Sequence, residues 1–172
     1  MQDALTHVNN MRPSLPFRLV GALATGVAVL GGIWVLQLCG VLMLPIYSPA
    51  VPAETPVVPS IATALGCALV AYIYRPLLAN GSWLHSAKIG VLATLMSAFV
   101  VGAVWASLEL ALSVLGYVHS ADITSIYGFA RRLSSNAGAS VLFVVMNGYA
   151  VLPLGALTAC AMRLCFHESQ DV

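Results

Sequence analysis

The chain has 172 residues, of which 60% are hydrophobic and 8% are charged, and its net charge is +1. An average soluble domain carries roughly 25% charged residues, so this sequence has too little polar surface for a water-soluble globule. The net charge is also too small, and too dispersed along the chain, to indicate a nucleic-acid partner. The composition therefore predicts an integral membrane protein in contact with membrane lipid and without a nucleic-acid partner.

Four apolar segments are long enough to cross a bilayer, whose hydrocarbon core of about 30 Å requires about 20 helical residues. The predicted fold is all-α, a single four-helix transmembrane bundle with a short amphipathic interfacial helix before the last span. The spans are predicted at about 17–44, 58–79, 88–116 and 137–163. The first of them contains 26 residues without charge, Leu19 to Leu44. A signal sequence has an apolar region of roughly 7–15 residues, so this span is interpreted as an uncleaved anchor.

The basic residues predict how the spans are oriented, because cytoplasmic loops retain Lys and Arg. With the N-terminus inside, two basic residues, Arg131 and Arg132, lie outside, and the other five lie in the cytoplasm. Those five are Arg12, Arg18, Arg75, Lys88 and Arg163. Both termini are therefore predicted to be cytoplasmic. The one lysine against six arginines, with abundant Ala, Val, Leu and Gly, favours a bacterial inner-membrane protein.

The connections between the spans have different characters. The first, Pro45 to Pro59, contains five prolines, which predict a stiff extended segment. Such a segment is either a spacer or a docking strip for a partner. The second, Arg75 to Lys88, contains the turn signal Asn80-Gly81 and is predicted to form a short hairpin.

An amphipathic pattern precedes the last span. Apolar residues recur at helical spacing within 121–133, while Arg131 and Arg132 fall on the other side. The apolar positions are Ile123, Ile126, Tyr127, Ala130 and Leu133. The pattern predicts a helix along the outer membrane surface. The alternative is a slanted extension of the fourth span.

The third span carries a seam of small residues at intervals of four, which predicts a contact face for other helices. The seam consists of Gly90, Thr94, Ala98, Gly102 and Ala106. Glu109 continues this face and is therefore expected to point toward protein. Because it lies about 31 Å along the helix from Lys88, it is placed at the outer boundary rather than at mid-membrane. A contact between this carboxylate and Arg131 or Arg132 is predicted.

Polar residues also line one side of the fourth span, namely Ser140, Asn147, Thr158 and Cys165, and Pro153 interrupts that span. The first span contributes Gln37. These residues are interpreted as interhelical hydrogen-bonding groups, worth about 0.6–2 kcal/mol each. Alternatively, they form a pathway for a small solute, with Pro153 breaking the helix as in many transporters.

Groups that carry catalytic or cofactor chemistry are not found in the sequence. The four cysteines show no CxxC pair, and the four histidines lie in termini or connections, so neither a metal site nor a haem is expected. No cofactor is predicted, and an enzyme is not favoured. An aromatic and basic group near the inner interface fits membrane anchoring or a lipid-headgroup or quinone contact. Its members are Tyr72, Tyr74, Arg75 and Trp83.

The expected function is that of a non-catalytic polytopic membrane protein that acts through helix–helix contacts. It would be an accessory or assembly subunit, or a protective partner, of a membrane complex, with another membrane protein or a second copy as its partner. The alternative is a small-solute transporter or oligomeric channel that uses the polar stripes and Pro153. The candidate interior and contact residues are Glu109, Asn147, Gln37, Arg131, Arg132, Gly102 and Pro153.

Overall fold

The computed structural model describes residues 15–42, 57–78, 82–117 and 123–167, and these ranges contain five α-helices. They are α1 (Leu15–Leu38), α2 (Val57–Leu78), α3 (Trp83–Val114), α4 (Ile126–Met146) and α5 (Gly148–His167). By length and composition α1, α2 and α3 can each cross a membrane, and α4 with α5 adds a fourth crossing if this bent pair is one span. The prediction of an all-helical fold is confirmed, and the helices are consistent with a multi-pass membrane protein.

Helix α3 occupies the centre of the arrangement and packs against α2, α4 and α5, whereas α1 packs mainly against α2. The helices approach closely where one of them has a glycine. A Cβ atom built on Gly90 of α3 would lie 2.8 Å from Cα of Ala156 in α5. A Cβ atom on Gly26 of α1 would lie 3.0 Å from the backbone nitrogen of Ala68 in α2. Small residues therefore allow the backbone-to-backbone packing that is common between membrane helices.

On α3 the small residues of the seam mostly face inward, whereas several large apolar side chains face outward. On α3 the buried positions include Gly90, Ala98 and Ala106, while Leu92 and Phe99 are exposed. In water this apolar surface would be exposed to solvent, which is unfavourable. The distribution therefore fits hydrocarbon as the surrounding solvent.

The first three helices overlap the predicted spans 17–44, 58–79 and 88–116. Helix α3 begins earlier than predicted, at Trp83, because the side chain of Ser82 accepts a hydrogen bond from the backbone N–H of His85 at 3.2 Å and caps the helix. The predicted turn at Asn80-Gly81 lies outside the described residues. So does most of the proline-rich connection, although Pro59 belongs to the first turn of α2.

The fourth span differs from the prediction. A separate interfacial helix at 121–133 and a span at 137–163 were expected, but α4 runs without interruption from Ile126 to Met146. The chain then bends by 91° between α4 and α5, at Asn147. The expected break at Pro153 is wrong, because this residue lies within α5. It is the sixth residue of that helix, so its missing N–H removes one hydrogen bond near the helix start.

Candidate functional site

The carboxylate of Glu109 joins α3 to α4. Its Oε2 atom lies 3.2 Å from Nε of Arg132 and accepts a hydrogen bond from the side-chain amide of Asn136 at 3.3 Å. Glu109 and Asn136 are largely buried, whereas the Arg132 side chain is 48% exposed. The predicted contact between this carboxylate and an arginine is confirmed, with Arg132 as the partner. Arg131 is exposed.

Gly102 lies on the same α3–α4 joint. A Cβ atom at this position would lie 2.6 Å from the backbone nitrogen of Ala137 and 3.0 Å from the carbonyl carbon of Asn136. Gly90, at the other end of the seam, faces α5 instead. Gly90 and Gly102 of the small-residue seam therefore contact other helices of the same molecule.

Asn147 forms the bend between α4 and α5 and is completely buried. Its backbone N–H donates to the carbonyl of Phe143 at 3.0 Å, and its own carbonyl accepts from Ala150 and Val151 at 2.9 Å each. One residue therefore ends α4 and starts α5. Asn147 precedes Gly148, and Asn-Gly is a dipeptide that favours turns. This signal was available in the sequence but did not enter the prediction.

The remaining predicted residues lie on α1 and α5. Gln37 is partly buried in the last turn of α1, and Pro153 is exposed on α5. The hydroxyl of Tyr149 donates to the carbonyl of Val41, which ties the segment after α1 to the start of α5. The structure thus brings Glu109, Arg132 and Gly102 together at one joint.

A cavity of about 320 Å³ lies between the helices and was not predicted. All five helices contribute to its lining, and along α2 the lining extends from Pro59 to Leu78. Ser140 and Thr158 of the predicted polar stripe belong to this lining. These two residues of the stripe therefore face a space between helices, whereas Asn147 lies at the bend and outside this lining.

The cavity wall is mainly apolar despite its hydroxyl groups. Thr63, Thr94 and Thr158 each donate to the carbonyl four residues earlier in their own helix, at 2.8 Å. Ser97 donates to the carbonyl of Thr94 at 2.7 Å. Because these hydroxyls are satisfied locally, the surface that they leave for a guest is largely hydrocarbon.

Basic residues gather at one end of the bundle, which we call the basic end. It is formed by the first two turns of α1 and α3 and the last two turns of α2 and α5, and it carries Arg18, Arg75, Lys88 and Arg163. The guanidinium of Arg163 lies 5.1 Å from the ring centroid of Trp83, a cation–π contact. Sγ of Cys160 lies 3.9 Å from the carbonyl oxygen of Trp83. These contacts fix the end of α5 to the start of α3.

Within the described ranges, no group of three His, Cys, Asp or Glu residues could hold a metal ion. The fold and site together define the class as a helical protein whose helices, three or up to four spans, are long and apolar enough to cross a membrane and surround an apolar cavity. No protein-family model, curated protein or solved structure matches the chain.

Proposed function

We propose that the chain is a non-catalytic polytopic membrane protein that acts through helix–helix contacts. It serves as an accessory or assembly subunit, or as a protective partner, and binds another membrane protein or a second copy of itself. The observation that carries this proposal is a set of exposed small residues on α1. This α1 face consists of Ala24, Ala28 and Gly31.

The three residues share one side of α1, because they are separated by four and three positions. No atom lies within 4 Å of the position that a Cβ atom on Gly31 would take. Gly26 and Gly90, by contrast, each contact a neighbouring helix. Membrane helices associate through small residues that permit close approach. The α1 face therefore has the composition of a contact surface and is left uncovered by the described part of the chain.

The α1 face is tested by replacing Gly31 or Ala28 with leucine. We expect each variant to bind its partner, or itself, about tenfold more weakly, since about 1.4 kcal/mol of packing would be lost. Association is measured by crosslinking in native membranes followed by purification. Ala161→Leu is the matched control, because Ala161 is an exposed small residue on α5, and its association should equal that of the unmodified protein.

A second candidate is a small-solute transporter or oligomeric channel. The bend at Asn147, close to residues that line the cavity, supports it, since transporters place their sites at interrupted helices. Association unchanged in both leucine variants, together with solute flux into liposomes that Asn147→Ala abolishes, would replace the first proposal by this one.

The membrane and the orientation also belong to the proposal. We infer a bacterial inner membrane with the basic end in the cytoplasm. The described residues place four cations at that end, and cytoplasmic segments retain Lys and Arg. The pair Arg131 and Arg132 lies beyond Glu109, near the opposite end of α3. Both termini are then cytoplasmic.

A further inference from the structure

We propose that the interhelical cavity binds one acyl chain of an anionic membrane lipid, whose phosphate is held at the basic end by Arg163 and Arg75. This binding site is separate from the α1 face and goes beyond a role in helix contacts. Four observations carry the inference: the shape of the cavity, the chemistry of its wall, the buried polar atoms at the basic end, and the charge there.

The shape of the cavity fits a long and slender guest. Its lining follows α2 from Pro59 to Leu78, and nineteen helical steps rise about 28 Å. That length nearly equals the hydrocarbon thickness of a bilayer, about 30 Å. The volume of about 320 Å³ is at the lower end of the range for ligand sites, roughly 300–1,000 Å³. A narrow space of this length accommodates a single chain better than a compact solute.

The wall favours hydrocarbon over a polar solute. The hydroxyls of Thr63, Thr94 and Thr158 already donate within their own helices. A polar guest would give up its hydrogen bonds to water and find few donors to replace them, which is costly. An acyl chain has no such bonds to lose.

The cavity reaches the basic end. Tyr74 and Met162 line it, and Arg75 and Arg163 are the next residues in the chain. Nη1 of Arg163 is buried and has no hydrogen-bond partner among the described residues. The same holds for Oγ of Ser86, which is fully buried one turn before cavity-lining Gly90. Buried polar atoms are normally hydrogen-bonded. These two atoms therefore indicate that a bound group accepts hydrogen bonds from them.

The charge at the basic end specifies an anion. Glu109 is the only acidic residue within the described ranges, and it is paired with Arg132 at the α3–α4 joint. Its carboxylate therefore lies away from the basic end, where Nη1 of Arg163 is buried without a hydrogen-bond partner among the described residues. A guanidinium binds phosphate oxygens through two parallel hydrogen bonds. A lipid phosphate attached to the acyl chain in the cavity would bring a negative charge to this end and accept hydrogen bonds from the buried Nη1 of Arg163 and Oγ of Ser86.

Binding of an acyl chain in the cavity is tested by fluorescence quenching of Trp105, which lines the cavity. The sequence has three tryptophans, so Trp34→Phe with Trp83→Phe leaves Trp105 as the reporter, and Trp83→Phe keeps an aromatic ring beside Arg163. The full chain is placed in phosphatidylcholine bilayers with small amounts of brominated phosphatidylglycerol or brominated phosphatidylcholine. We expect the anionic lipid to quench Trp105 at a several-fold lower mole fraction than the neutral lipid. Equal quenching by both lipids would overturn the proposal.

The headgroup contacts are tested by Arg163→Gln and Arg75→Gln. Each change should lower the preference for the anionic lipid about fivefold, the effect expected for one basic residue near an anionic headgroup. Arg163→Lys should retain most of the preference because it keeps the charge. Arg131→Gln removes a charge away from the basic end and should have no effect. A preference that survives both glutamine changes, or that falls equally in the lysine variant, would contradict the assignment.

The cavity itself is tested by Ala93→Leu, because Ala93 lines it. This change should reduce the quenching by brominated phosphatidylglycerol severalfold. Ala111→Leu, at an exposed position of the same helix, is the control and should leave quenching unchanged. Glycerol phosphate, which has the anionic group without a chain, should not displace the lipid at similar concentration. Full displacement by glycerol phosphate would mean that the site binds a free phosphate and not a lipid chain.

Discussion

At the scale of single residues, two donors contact Glu109 at the joint between α3 and α4, namely Asn136 and Arg132, and they differ in burial. Asn136 is 5% exposed, so its amide has little access to water if the carboxylate is lost. Arg132 is about half exposed, and exposed ion pairs contribute only about 0.2–1 kcal/mol. A hydrogen bond to a charged group contributes about 1.5–3 kcal/mol. The amide of Asn136 therefore matters more for stability than the ion pair that the sequence predicted.

Glu109→Ala should destabilise the protein by about 1–3 kcal/mol, because it leaves the buried amide of Asn136 without an acceptor. Glu109→Gln retains an acceptor oxygen and should cost less. Arg132→Gln should cost under about 1 kcal/mol, the value for an exposed pair. Unfolding in detergent by heat or denaturant measures each change, with Arg131→Gln as the control. The ranking is wrong if Arg132→Gln costs as much as Glu109→Ala.

At the scale of the helices, the main feature is the bend at Asn147 between α4 and α5. Asn147 is buried at the end of α4, and its carbonyl accepts two N–H groups of α5. Pro153 lies in the first half of α5 and is exposed. The local geometry of the bend therefore depends on Asn147 and Gly148 rather than on the proline.

Asn147→Leu should lower the free energy of unfolding by at least about 1 kcal/mol, because a leucine favours a continuous helix and removes a buried polar side chain. Pro153→Ala should leave stability unchanged or raise it, since the alanine N–H can donate within α5. Unfolding midpoints of the two variants provide the comparison. Greater destabilisation by Pro153→Ala would contradict the position of the bend.

The sequence predicted features that depend on neighbouring turns of one helix, but not those that depend on several helices. The seam through Gly90 and Gly102 was found because spacing by four fixes one face. The turn at Asn147-Gly148 was missed because it lies within a long charge-free run, although the same dipeptide at Asn80-Gly81 was recognised. The cavity could not be predicted, because its walls come from five helices whose relative positions are not encoded locally.

At the scale of the whole molecule, α3 is the helix that connects the others. It contacts α2, α4 and α5, whereas α1 depends mainly on α2. Local opening in proteins follows such differences in packing. Helix α1 should therefore separate from α2 with little effect on the packing of α3 against α4 and α5.

Gly102→Ala and Gly26→Ala should destabilise different parts of the molecule. Each added Cβ would meet a neighbouring helix backbone, and overpacking of this kind costs about 1–3 kcal/mol. Gly102→Ala should speed hydrogen–deuterium exchange in α3, α4 and α5. Gly26→Ala should speed it in α1 while leaving α3 to α5 close to their original rates. Faster exchange throughout the chain in both variants would argue against a separable α1.

The buried bend at Asn147 also has an electrostatic consequence. A helix carries about half a negative charge at its C-terminal end and about half a positive charge at its N-terminal end. The C-terminal end of α4 and the N-terminal end of α5 meet at this one residue. Their opposite partial charges largely offset each other in an interior of low dielectric constant. Each helix end therefore provides the opposite partial charge nearest to the other, which favours burial of the bend.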